Sequence, residues 1–264
     1  MINFYLLIPY IIILIVSIPL SFLFKGLVNK FLKEEELYEK YLEEHKEELE
    51  GKLTKEQKKN HKESIKKLKV KFKPAFSIAF IIINTILISL LYYIVGNCIS
   101  FYMYAFLTFL LEIAFYTDLK ACIIPDEINY FGIGIGIIYT IYMLITQTKV
   151  GLDLLMGGVC AFLLFVMIGG IAYLILKKEG MGGGDIKLVT AIGFILGLTN
   201  FVQVFVLSFL FAAVISIFLL LLRIKKRQDY IPLGPFICLA TYITMLIPAM
   251  TTATFLFKLS LGIL

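Results

Sequence analysis

Two aspartates in unusual company are the residues of this chain best suited to chemistry. Asp185 closes the run Gly180-Met181-Gly182-Gly183-Gly184-Asp185 and is followed by Ile186-Lys187-Leu188. Three consecutive glycines ahead of a helix permit positive φ and the close approach of another backbone, which an extended peptide would need. A plain inter-helix turn, with Asp185 capping the next helix, accounts for the same glycines. Asp118 lies in Phe115-Tyr116-Thr117-Asp118-Leu119-Lys120-Ala121-Cys122-Ile123-Ile124-Pro125-Asp126, and alone it reads as an ordinary acid at a helix end. Together the two mean more. Two carboxylates held close cannot both ionise cheaply, so one keeps a proton. The ionised member can draw a proton from water while the protonated member hydrogen-bonds a scissile carbonyl, which is peptide hydrolysis without a metal or a covalent intermediate. A helix N-terminus and the nearby Lys187 favour charge on Asp185, and a helix C-terminus disfavours it on Asp118. The expectation is therefore an ionised Asp185 and a protonated Asp118.

The elements that must position this pair are membrane helices. Of 264 residues, 60% are hydrophobic and 17% charged, an apolar excess too large for one soluble core. Long uncharged runs alternate with short charged clusters, and a run of about 18 apolar residues crosses hydrocarbon only as a helix. Spans are expected near 4–24, 75–95, 99–117, 128–147, 153–176, 186–200, 201–222 and 236–256. The expected fold is thus an all-α polytopic transmembrane bundle of about eight spans. Phe4 to Phe24 lacks the basic start and small-residue cleavage site of a secretory signal, so it reads as a retained span. The domains then run as a first transmembrane helix (1–24), a charged cytosolic segment (25–74), a transmembrane core (75–256) and a tail (257–264).

Charge gives the direction. With the N-terminus outside, 23 of the 25 basic residues fall in the inner segments 25–74, 118–127, 177–187 and 223–235, leaving Lys149 and Lys258 outside. The positive-inside rule selects this orientation and puts both aspartates at the cytosolic face. Topology thereby accounts for the net charge of +6, and no nucleic-acid partner is expected. Glu34 to Glu50 holds nine acids and two lysines, whereas Lys52 to Lys73 holds ten lysines and two acids. Gly51 divides them, and Thr54 with Gln57 forms a capping-box pattern. A helical hairpin with arms of opposite sign, a basic arm on anionic lipid, and a solvated linker all fit this insertion. Cys98, Cys122, Cys160 and Cys238 are far apart with no C-x-x-C pair, so they read as packing residues rather than metal ligands. No metal or cofactor is expected.

The motifs resemble those of the type IV prepilin peptidases. Gly182-Gly183-Gly184-Asp185, with Ile186-Lys187-Leu188 and Ala191-Ile192-Gly193, is similar to that family's Gly-x-Gly-Asp element. Asp118 ahead of Ile124-Pro125-Asp126 is similar to its other aspartate motif, and Ile231-Pro232-Leu233-Gly234-Pro235-Phe236 to the entry of its last span. The resemblance runs from about residue 75 to 256, and three motifs in order at the right boundaries are far more specific than one. It implies an aspartic endopeptidase that removes short basic leaders from prepilin-like substrates just ahead of their hydrophobic helix, in the plasma membrane. It implies catalytic roles for Asp118 and Asp185, and places Gly182, Gly184, Lys187, Pro125 and Pro235 beside them. Many bacterial members also methylate the new N-terminus and carry two cysteine pairs in the first cytosolic loop. Residues 25–74 contain no cysteine, so methylation is not expected here. A transporter relaying protons through paired acids is the alternative, but both acids sit at a boundary rather than the midplane, and no broken-helix repeat is evident.

Overall fold

The computed structural model describes residues 8–44, 74–177, 181–222 and 232–248. Among these the regular elements are eight helices, with no strand. They are α1 (Ile8–Glu44), α2 (Pro74–Val95), α3 (Ile99–Ala121), α4 (Asp126–Thr146), α5 (Thr148–Leu176), α6 (Gly183–Leu196), α7 (Leu198–Leu221) and α8 (Gly234–Leu246). Five contain a stretch long and apolar enough to cross a membrane: Ile8–Leu32 of α1, α3, α4, Thr148–Ile175 of α5, and α7. Large apolar side chains stand on their outer faces, Ile145 at 79% and Leu174 at 77% exposure among them. A surface of that kind is stable in lipid rather than in water. The chain is an all-helical, multi-pass membrane protein.

The chain divides into two compact units, Met1–Ser89 and Leu90–Leu264. In the first, α1 continues unbroken past residue 24 to Glu44. The basic arm of the expected hairpin, residues 52–73, lies outside the described residues. Phe24 of α1 stacks on Phe80 of α2, with centroids 4.0 Å apart. Ser17 and Ser21 return their hydroxyls to the carbonyls of Ile13 and Ile18. This is how a membrane helix satisfies small polar groups.

The second unit is built around α6. Leu188, Val189, Ala191, Ile192, Ile195 and Leu196 are all buried, so this short helix is wrapped on every side. Glycines make the wrapping tight. A Cβ at Gly193 would come within 2.4 Å of the Gly157 carbonyl oxygen, and one at Gly157 within 2.5 Å of the Gly193 oxygen. α5 and α6 therefore cross backbone to backbone, the small-residue contact that membrane helices use in place of a hydrophobic driving force. On the other side a Cβ at Gly136 of α4 would meet Phe194 at 2.9 Å, and Thr140 donates to the Phe194 carbonyl at 3.0 Å. Phe165 of α5 is buried among Phe201, Phe205 and Phe209 of α7, ring to ring.

The sixth and seventh expected spans meet earlier than their apolar run suggests. The break falls at Gly197 (φ +82°), not at residues 200–201. The Asp153 carboxylate fills the space a side chain there would occupy. Asp153 also accepts a hydrogen bond from the Thr199 hydroxyl at 3.1 Å. The turn is thus held by an acid that follows the α4–α5 junction.

Candidate active site

Four chain segments meet at one end of the second unit. α3 ends one turn after Asp118, where Cys122 takes a left-handed conformation (φ 55°) and returns its N–H to the Asp118 carbonyl at 2.9 Å. Extended residues follow to Pro125, which is buried and precedes α4. Proline lacks the N–H that a helix start would leave unpaired, and its fixed φ suits that position. α6 starts after Gly182, which puts Asp185 in its first turn. α8 starts at Gly234 with Pro235 at its head.

The side chains converge accordingly. Asp118 and Asp185 are buried, at 3% and 5% exposure, although both are charged residue types. Asp118 Oδ2 and Asp185 Oδ1 are each shut from solvent without a hydrogen-bond partner among the described residues. Leaving a carboxylate oxygen so is costly, and such groups mark functional sites. Glycines make the room. A Cβ at Gly234 would lie 2.5 Å from Asp118 Oδ2 and 3.2 Å from the Ile124 side chain. A Cβ at Gly184 would lie 3.1 Å from the Ile124 carbonyl oxygen, and one at Gly182 3.3 Å from Asp185 Oδ2.

Asp185 lies in the first turn of α6, outside the five membrane-length helices. Burial, and after it the neighbouring Asp118 charge, push its carboxyl up to about 7, opposed in part by the Gly182 backbone N–H. The helix start thus does less for ionised Asp185 than expected, and Lys187 does not help. Its ammonium is turned away to Asp126, 2.7 Å from Oδ1, and lies over the Tyr130 ring at 4.7 Å. The neighbouring Asp118 charge thus couples the two carboxyls electrostatically.

Two further residues of this neighbourhood, Asn129 and Cys238, carry little signal in the sequence. Asn129 of α4 is buried and donates from Nδ2 to the Gly184 carbonyl at 3.2 Å. Gly234 abuts Asp118 as described. Cys238 of α8 is buried as a packing cysteine is, whereas Cys98, Cys122 and Cys160 are exposed. Glu112, on the same helix as Asp118, interacts electrostatically with Tyr242 of α8. Among the described residues, no cluster of three or more metal-ligating side chains forms.

A polytopic helical membrane protein with a Gly-x-Gly-Asp turn facing a second buried aspartate is a recognisable class. Residues 105–217 match the type IV leader peptidase family. The chain is 31% identical over 140 residues to a prepilin leader peptidase/N-methyltransferase of Aeromonas salmonicida, covering 53% of this chain and 47% of that one. It is 32% identical over 174 residues to the Vibrio cholerae protein of the same name, covering 58% of this chain and 64% of that one. A Legionella pneumophila relative of that name is 30% identical over 130 residues, 49% of this chain and 44% of its own length. This chain is similar to the type IV leader peptidase family through that stretch, and it spans about half the length of most of the relatives it matches. The family match contains Asp118, Pro125 and Asp185 and ends before Gly234 and Pro235. No solved structure matches the chain.

Proposed function

We propose that this chain is a membrane aspartic endopeptidase that removes the leader of type IV prepilin-like proteins at the cytosolic face, with Asp118 and Asp185 as its acid pair. The observation that carries the reading is the meeting of two buried carboxyls from separate helices beside glycines that admit a backbone. With one proton between them, the ionised carboxyl takes a proton from water as the water oxygen attacks the scissile carbonyl. The protonated carboxyl hydrogen-bonds the carbonyl oxygen, stabilising the charge that develops there. The resulting diol collapses with proton transfer to the leaving nitrogen. The open space over Gly183, where a Cβ would meet nothing within 4 Å, suits the approach of an extended leader.

The cytosolic face rests on the distribution of basic residues, 23 of 25 on one side. A substrate with a basic leader and a hydrophobic helix fits such a site, its helix lying in lipid while the leader lies at headgroup level. The relatives are named for leader cleavage and for N-methylation; only the first is assigned here, since the acid pair supplies hydrolysis and not methyl transfer. The test is incubation of the detergent-solubilised protein with a prepilin-like substrate, following leader removal by mass. Asp118→Asn and Asp185→Asn should each abolish cleavage. Persistence of cleavage in either variant would overturn the assignment, and the mass of the product N-terminus reads any methylation.

A further inference from the structure

We propose that the start of α4 is a clamp that positions Asp185, with Asn129 and Asp126 as its two holding residues. This rests on the reading of Asp118 and Asp185 as the hydrolytic pair. Asn129 and Asp126 are three residues apart, on one face of the helix. Asn129 holds the residue before Asp185, through Nδ2 on the Gly184 carbonyl at 3.2 Å. Asp126 holds Lys187, two residues beyond, at 2.7 Å. Between these holds the Ile124 backbone closes against Gly184, leaving no space for a methyl group without displacement.

Three features argue that the clamp serves placement rather than packing. Asn129 is 1% exposed, and its Oδ1 is buried without a hydrogen-bond partner among the described residues. A carboxamide kept so is costlier than an apolar residue of its size, unless its donor is needed. The amide cannot turn over to relieve this, because that would set oxygen against the Gly184 oxygen. The Asp126–Lys187 pair is largely exposed, with Asp126 at 59%, and exposed pairs add little stability. What such a pair does fix is the rotation of the first turn of α6. Finally, residues 122–125 alone join α4 to the helix that carries Asp118. A clamp at the start of α4 therefore sets the spacing between the two carboxyls.

The experiment measures kcat, KM and the pH profile of leader cleavage for a prepilin-like substrate. Asn129→Ala should lower kcat about 100-fold with KM little changed, the response to a misplaced catalytic group. Its alkaline limb should move to lower pH, because a loosened pair couples less strongly. Asp126→Lys or Lys187→Asp alone should lower kcat about tenfold, and the double reversal should recover to within about threefold of the parent. An Asn129→Ala protein with parental kcat and an unmoved alkaline limb would overturn the proposal. So would a double reversal no faster than its single variants, and this arm decides alone if Asn129→Ala does not fold. Cleavage by Asp185→Asn would sink the hydrolytic reading itself. Inactivity of that variant beside an unaffected Asn129→Ala would sink only the clamp.

Discussion

Gly234 has no side chain where Asp118 has its carboxylate, and the two facts are one. A methyl group there would lie 2.5 Å from Asp118 Oδ2, so Gly234→Ala must move the acid or the start of α8. We expect kcat for leader cleavage to fall about 100-fold, with the protein still folded by its melting profile. Asp185 yields a prediction of different form. Its folded value of about 7 stands above its ordinary 3.8, so the native state holds that proton more tightly than the unfolded chain. The stability it contributes is complete below its unfolded value and is lost as pH rises through about 7. Asparagine stays neutral throughout. Asp185→Asn should therefore melt above the parent at about pH 8 and converge with it near pH 4, as read by thermal unfolding in detergent. Cleavage by the parent should decline on the same alkaline side, as the shared proton is lost. At this scale the sequence discloses the acids and the glycines, because their types are rare at the edge of a bilayer. It hides Asn129, one polar residue in an apolar helix whose partner lies 55 positions away. It also misplaces Lys187, since proximity along the chain to Asp185 says nothing about which neighbouring helix offers the better anion.

Among the elements, α6 matters most, because it presents Asp185 and touches both α4 and α5 at glycines. The crossing of Gly157 and Gly193 leaves no volume for a side chain on either helix. Gly193→Val should separate the helices and lower stability by roughly 1–3 kcal/mol, the usual cost of overpacking. The measure is the melting temperature in detergent, with Gly134→Ala, where a Cβ meets nothing within 4 Å, as the unperturbed comparison. Hydropathy reveals α2 to α7 with ends good to a few residues, since each apolar run must cross or bury itself, but it does not foresee the continuation of α1 to Glu44. It misses the break at Gly197 because the apolar run continues through it. The turn there is made by backbone conformation and by Asp153, from another helix, and neither leaves a mark on local composition. The sixth span already reads as short for a crossing, and α6 has 14 residues, whereas α8 has 13 against an expected span of 236–256.

For the molecule as a whole, the apolar helices follow from composition, whereas the convergence of four segments at one end of the second unit does not. Convergence depends on how helices pack, and packing here depends on glycines whose partners lie on other helices. The shortness of α6 carries a consequence for the surrounding lipid. At 14 residues it is about 21 Å long, and a typical hydrocarbon layer is about 30 Å thick. With Asp185 at its head placed at headgroup level, as in the proposed function, the far end of α6 stops short of the opposite surface wherever the layer keeps its full thickness. Acyl-chain length then becomes a control on turnover through hydrophobic mismatch. In reconstituted vesicles, cleavage should be faster in short-chain than in long-chain phosphatidylcholine at equal substrate density. Bilayer thickness would in that way decide how readily this protein meets its substrate.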